Sequence, residues 1–212
     1  TGMTIIFLEV GQDLHLEGGD LTEAINAGVA KGYTEGYLRK SVVAEPLFNR
    51  VNTQNNTPAI IYTKIVPGDQ LRIELTCKGF GSENKGGIKM LVPADGVEGV
   101  KKAVLDIIQH ASCNPCPPMV VGVGIGGTMD QAAYLSKRAL MRNITVRNEH
   151  PDYANLENEL LEMINKTGIG PQLGGTTSAL AVNIEWGPTH IAGLPVAVPI
   201  CCHACRHAVR VL

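Results

Sequence analysis

Aromatic residues are scarce in this sequence: one Trp, three Phe and five Tyr among 212 residues. Charge is sparse too, at 18% of residues with a formal net charge of −2. No run of Lys or Arg forms a basic stripe, which excludes an extended nucleic-acid surface. No apolar run reaches the ~18–20 residues that a membrane-spanning helix needs, and no signal peptide is visible. No internal repeat, low-complexity tract or linker interrupts the chain. These absences leave a compact protein with neither nucleic acid nor membrane as partner.

Glycine and cysteine are what the sequence does have, with 24 Gly and six Cys. Six cysteines without a secretory segment indicate a reducing compartment, the cytoplasm. Cys77 stands alone and reads as a small core residue on a strand. Cys113 and Cys116 form one group; Cys201, Cys202 and Cys205 form another. The first group opens the stretch around which the chain is organised, Cys-Asn-Pro-Cys-Pro-Pro-Met-Val-Val-Gly-Val-Gly-Ile-Gly-Gly-Thr at 113–128. It reads as two thiols, a stiff proline turn, a short buried strand at 119–121 and a glycine loop feeding a helix N-terminus. Such a stretch suits something anionic or metallic.

The remaining elements follow from periodicity and punctuation. Residues 3–10 read as a strand. Asp20 caps a helix, with Glu23 at the capping-box position and Leu21, Ala24, Ile25 and Val29 on its apolar face; it fades near 32–36. Residues 59–66 and 70–77 read as a hairpin around Pro67-Gly68-Asp69. Between these segments, 49–58 is too poor in apolar residues to be core. A second glycine loop spans 79–87. Asp95 caps a helix with Val97, Val100, Val104, Ile107 and Ile108 on one face. Further helices are expected at 130–142 and 155–166, the latter stopped by Gly168, and strands at 144–146, 179–184 and 194–200. A third glycine loop occupies 168–175. Strands and helices intermingle, so the fold class is α/β, or mixed α+β, in one continuous domain.

Three chemistries compete for the organising stretch. Gly122, Gly124 and Gly127 fit the G-x-G-x-x-G dinucleotide pattern, with Glu149 about twenty residues on; that reading makes the protein an oxidoreductase. Cys113 and Cys116 could join a zinc site with the C-terminal thiols, though 201–205 is crowded for a zinc knuckle. They could also be a redox pair, but the strand follows the motif where a redox Cys-x-x-Cys has it before. An iron–sulfur cluster held by thiolates from separate loops fits the distribution better.

Several motifs together resemble one family. Gly-Ser-Glu-Asn-Lys at 81–85, Cys-Pro-Pro at 116–118, Leu-Ser-Lys-Arg-Ala-Leu at 135–140 and Gly-Ile-Gly-Pro-Gln at 168–172 are similar to the class I fumarate hydratases. They also resemble the α subunits of two-subunit fumarases and L-tartrate dehydratases. The resemblance implies a hydro-lyase with a 4Fe–4S cluster held by three Cys and one iron open to a small dicarboxylate. Fumarate hydration to L-malate is the activity expected, with tartrate dehydration as the alternative.

On this resemblance Cys116 and Cys202 are cluster ligands, with Cys201 the neighbouring alternative to Cys202 and Cys113 an extra thiol. His190, in His-Ile-Ala-Gly-Leu-Pro, matches the family's active-site His. Arg39 matches an arginine that grips a substrate carboxylate, and Gly79, Gly81, Asn84 and Lys85 fall in the substrate loop. Thr1-Gly2 match the end of the family's Cys-Gln-Asp-Thr-Gly motif, so the third cluster Cys is expected upstream of Thr1 and the cluster incomplete in this chain alone. The family's second, swivelling β-rich domain has no counterpart here, so a β subunit is the expected partner, in a higher αβ oligomer.

The resemblance generates a test at Arg39. Hydrogen bonds to a charged group are worth ~1.5–3 kcal/mol, so Arg39→Ala should lower kcat/KM at least roughly tenfold in the anaerobic αβ enzyme and leave iron content unchanged. Arg39→Lys should recover little, because an ammonium cannot form the bidentate fork. Wild-type kinetics for Arg39→Ala would remove Arg39 from the site.

Overall fold

The computed structural model describes residues 2–172 and 174–212. The chain forms two compact units, one of Thr1–Phe80 with Cys205–Leu212, the other of Gly81–Ala204. The first contains β1 (Met3–Gly11), α1 (Leu21–Glu35), β2 (Ile60–Val66), β3 (Leu71–Lys78) and the final strand β9 (His207–Val211). The second contains β4 (Gly87–Leu91), α3 (Gly96–Ala111), β5 (Met119–Gly127), α4 (Met129–Met141), α5 (Pro151–Lys166), β6 (Ala179–Thr189), β7 (Leu194–Val198) and β8 (Ile200–Cys201). A single-turn helix, α2 (Phe80–Glu83), lies within the second glycine loop. The class is therefore mixed α/β, as expected. No helix among the described residues is long and apolar enough to cross a membrane.

In the first unit the strand order is β2-β1-β3-β9. The expected hairpin between β2 and β3 does not form, because β1 lies between them. It pairs in parallel with β2, Ile5 opposite Ile60, and antiparallel with β3, Met3 opposite Lys78. The reason lies in β1 itself: Ile5, Ile6, Phe7 and Leu8 are all buried, and a strand buried on both faces takes the sheet's interior. A parallel pair needs a long crossover, and α1 supplies it. Asp20 accepts the Glu23 N–H at 2.8 Å, as its capping position predicts. Leu21, Ile25 and Val29 then pack over Ile6, Leu8 and Ala59. The fourth strand, β9, was not expected from the sequence. It pairs with β3, His207 opposite Thr76, and its residues are all exposed.

The second unit is built on β5. Its strand order is β4-β7-β5-β6, with β8 also pairing β5. The glycine loop expected at 122–127 is part of this strand. Alternation along β5 explains it. Met119, Val121, Val123 and Ile125 belong to the core shared with Val104 and Ile108 of α3 and Leu160 and Ile164 of α5. Gly122 and Gly124 face α4. A Cβ at Gly122 would stand 2.4 Å from Ser136 O, and one at Gly124 2.1 Å from Ala132 O. The glycines let helix and strand backbones meet, and only Gly126 and Gly127, at φ +96 and +69, turn the chain. The dinucleotide reading falls with this geometry, since its first two glycines are inside a strand.

Three smaller expectations also change. Asp95 does not cap α3: its carboxylate turns back to accept the Val92 N–H at 2.8 Å. Val97 sits on the exposed side of that helix. Residues 144–146 form a turn closed by Asn143, which accepts the Thr145 N–H at 2.9 Å. By contrast α5 ends as predicted, with Gly168 at φ +67.

The glycine contrast is measurable. Gly124→Ala should destabilise the fold by about 3 kcal/mol or more, because the colliding atoms are backbone and cannot move aside. Gly28→Ala, in α1 with nothing within 4 Å of the added Cβ, should stabilise by ~0.4–1 kcal/mol. Urea unfolding midpoints of the two variants check both signs.

Candidate active site

Register places the loops of the second unit at one or other end of β5. Val120 lies opposite Cys201, and Met119 N–H donates to Ser178 O at 2.7 Å. Gly87, at the start of β4, lies opposite Val198 at the end of β7. Four segments therefore gather at the N-terminal end of β5: 81–86, 112–118, 174–178 and 199–204. They carry Asn84, Lys85, Cys116 and Cys202. Leu173, in the third glycine loop, lies outside the described residues.

Cys116 and the C-terminal thiol group are tied together there. His203 Nδ1 stands 3.2 Å from Cys116 O, so the ring nitrogen carries a proton and donates to the carbonyl. Cys116 is exposed and Cys202 half-buried. Cys116 also has φ +60, a left-handed conformation that costs a non-glycine residue ~1–2 kcal/mol and that clusters at functional positions. Cys201, the alternative to Cys202, is buried in the β5–β8 ladder, which leaves Cys202 the more accessible thiol.

These donors fit a thiophilic group in kind, since thiolate sulfur is what an iron–sulfur cluster requires. They do not complete one. Among the described residues no three His, Cys, Asp or Glu side chains converge on a point that could hold a metal ion.

One pairing at this end was not anticipated. Lys137 of α4 donates to both carboxylate oxygens of Glu83. Both side chains are largely buried, 16% and 29% exposed, so losing either leaves a charge in a poorly solvated position. The pair lines a cavity of about 210 Å³ with Gly86, Ser136 and Pro199. Its residues sit inside Gly-Ser-Glu-Asn-Lys and Leu-Ser-Lys-Arg-Ala-Leu; the motifs were visible, their contact was not. A larger hollow, about 620 Å³, lies along β6 between Arg142, Arg147, His150 and Trp186. Its arginines are committed to the buried Glu157 and to the carbonyls of Ile184 and Val182, which marks them as structural.

His190 is not brought to the thiols. It sits in the turn after β6, where Thr189 pairs with Gly127 at the other end of β5. Six steps of ~3.3 Å over the extended part of the strand, 119–125, put roughly 20 Å between its two ends. His190 is exposed, and its Nδ1 accepts the Ala192 N–H at 3.2 Å, which assigns the ring proton to Nε2 when the ring is neutral.

In the first unit Arg39 is exposed, on a loop with unusual backbone: Tyr37, Arg50, Gln54 and Asn56 all have positive φ. The loop is pinned by Asn56, which is fully buried although its surroundings read as surface. Its Oδ1 accepts the Ser41 and Val42 N–H groups at 2.6 and 3.1 Å, and its Nδ2 donates to Gly2 O at 2.8 Å. Tyr33 donates to the same carbonyl at 2.8 Å, and burial pushes its phenol up to about 12. Gly79 follows buried Lys78, whose Nζ stands 3.3 Å from Gly79 O. Gly81 and Asn84 are exposed and Lys85 half-buried.

A sequence model described as fumarate hydratase (Fumerase) matches residues 1–211. The chain is 44% identical to a Methanocaldococcus jannaschii protein provisionally named L(+)-tartrate dehydratase subunit alpha, over 99% of this chain and 75% of that protein. It is 37% identical to the L(+)-tartrate dehydratase subunit alpha of Escherichia coli K12, over 97% of this chain and 69% of that protein.

The Asn56 pin generates a prediction. Asn56→Ala orphans two backbone N–H groups, each worth ~1–3 kcal/mol when buried, and leaves Gly2 O with the Tyr33 bond alone. The variant should unfold at a lower urea concentration, and amide hydrogen exchange at Ser41 and Val42 should accelerate first. Unchanged exchange at both would show that Asn56 does not hold the Arg39 loop.

Proposed function

Since the chain belongs to the fumarate hydratase family, we propose that it is the α subunit of an iron–sulfur hydro-lyase that dehydrates L(+)-tartrate. The observation that carries the substrate is the similarity, along nearly the whole chain, to proteins named L(+)-tartrate dehydratase subunit alpha. The motifs alone favoured fumarate, and the relatives' names move the reading to the alternative. Hydration of fumarate is the second reading, favoured by the description of the matching family model.

In this reading Cys116 and Cys202 would hold the cluster together with a third thiolate, which does not converge with them among the described residues. When bound, a cluster with one open iron supplies Lewis acidity toward a departing hydroxyl. The chain's own part is to bind and orient. Asn84 and Lys85, on the loop at the thiol end, offer a neutral and a charged donor to a dicarboxylate. Arg39 offers a bidentate fork to a carboxylate. The Glu83–Lys137 pair holds the 81–86 loop against α4, which fixes where Asn84 and Lys85 can reach. Donors set in advance stabilise the negative charge that builds on a carboxylate as the adjacent carbon loses its proton. His190, at the far end of β5, is assigned to shaping the β6–β7 turn and not to proton transfer. The base is assigned to a β partner, since the relatives are named as α subunits.

The test is the anaerobic αβ complex assayed for oxaloacetate from L(+)-tartrate and for L-malate from fumarate. A site built to hydrogen-bond the second hydroxyl should prefer tartrate by roughly a hundredfold or more in kcat/KM. Equal or reversed preference favours fumarate. In the same complex Cys116→Ser and Cys202→Ser should each abolish iron retention, whereas Cys113→Ser and Cys77→Ser should keep most of it. Iron kept by Cys116→Ser would remove that residue as a ligand.

A further inference from the structure

The cluster reading leaves Cys113 without a task. The residue sits at the first position of a tight turn whose fourth is Cys116: the Cys116 N–H donates to Cys113 O at 3.3 Å. Such a turn holds its end Cα atoms within ~7 Å, and disulfides span Cα separations of ~4.4–6.8 Å. The turn is well fixed. Asn114 Nδ2 donates to Ala111 O, the last carbonyl of α3, at 3.0 Å, and Pro115 is buried within it. Ser112 and Cys116, at φ +52 and +60, bracket it. Cys113 is half-buried, Cys116 exposed, and neither is in a disulfide. The turn thus holds the two Cα atoms within the range a disulfide spans, with one of the two thiols open to reagents.

We propose that Cys113 and Cys116 are a thiol–disulfide exchange site, oxidised reversibly by low-molecular-weight disulfides. The exposed Cys116 thiolate attacks one sulfur of a disulfide RSSR, forming a Cys116–S–S–R bond and releasing RS⁻. The Cys113 thiolate then attacks the Cys116 sulfur, forming the Cys113–Cys116 bond and releasing the second RS⁻. The two protein thiols are oxidised, the small disulfide is reduced, and the two cysteine protons end on two RSH. Closure within a four-residue loop favours Cys113 over more distant thiols. Resting on the reading of Cys116 as a cluster ligand, the same bond has a consequence: a sulfur in a disulfide is no thiolate, so the oxidised chain cannot load a cluster.

The reduced, metal-free full chain is treated anaerobically with glutathione disulfide, quenched in acid, alkylated and mapped by mass spectrometry. The expected product is one peptide carrying both residues, lighter by two hydrogens, with no retained glutathione. Cys113→Ser, and Cys113→Ala as a second variant, should instead keep glutathione on Cys116. A stable glutathione adduct on wild-type Cys116 overturns the proposal, as does a bridge from Cys116 to Cys202 or Cys205. Iron and sulfide are then offered to oxidised and dithiothreitol-reduced chain with the β partner. Complete loss of uptake in the oxidised sample, restored on reduction, is expected. Full uptake despite a mapped Cys113–Cys116 bond would overturn the ligand reading of Cys116 and leave the exchange chemistry standing.

Discussion

The contact between α4 and the face of β5 that carries Gly122 and Gly124 governs the second unit. Added methyls there would lie 2.1–2.4 Å from backbone atoms of α4, inside any van der Waals limit, so the packing admits no side chain. With one face of β5 taken by a helix at backbone range, its other face can be wholly apolar and bury against α3 and α5. A strand covered on both sides becomes the sheet's reference element, and β6, β7 and β8 all register against it. The gathering of four loops at its N-terminal end follows from that register. Glycine thus acts here through the side chain it lacks, and its conformational freedom matters only at Gly126 and Gly127.

The same residues show what the sequence could reveal and what it could not. Helix α1 was legible because its cap, its period and its fading glycines agree locally, and α5 because Gly168 stops it. The glycines of β5 read as a loop because composition alone does not separate close packing from turning. Alternation with Val121, Val123 and Ile125 was the available signal, and the dinucleotide pattern masked it. The pairing of β1 between β2 and β3 is non-local, and a turn at 67–69 is compatible with strands that never meet. Strand β9 has an exposed, weakly alternating five-residue sequence and exists because β3 offers it an edge. Of the site, the motifs were legible as a family pattern. Their mutual distances were not, which is why His190 and Cys202, twelve residues apart, were grouped although the β7 strand between them carries the chain back along β5.

Buried polar groups stabilise the parts of the chain that composition would call surface. Asn56 satisfies three backbone groups in the first unit. In the second, Glu157 is fully buried and accepts the backbone N–H groups of Ile184 and Asn148, at 2.8 and 3.0 Å, with Arg142 as its counter-ion. Arg142, Arg147 and Asn148 then occupy the outward carbonyls of β6, the sheet's edge strand. An edge whose backbone groups are already bonded offers no template to another strand. The network therefore accounts for the arginines that line the hollow beside Trp186. Desolvation holds the nearby Glu185 carboxyl above its usual range, as burial beside such a network requires.

The donor set at the thiol end constrains how the chemistry can be divided. It contains acceptable soft ligands and hydrogen-bond donors, but its charged pair, Glu83 with Lys137, is internally neutralised. A group that is bonded to its counter-ion makes a poor proton acceptor, because taking a proton breaks the pair. The other ionisable side chain of the adjoining loop, Lys85, is a donor when charged. Elimination of water from a hydroxy-dicarboxylate needs a base beside the carbon that loses its proton. In the proposed reading the local donors bind and orient, and His190 stands in the turn beyond the opposite end of β5. Among the side chains of this end, His203 donates through Nδ1 to Cys116 O, so in the neutral ring Nε2 is the one imidazole position left to accept a proton; in the proposed reading the acceptor is either that nitrogen or a group brought by a partner.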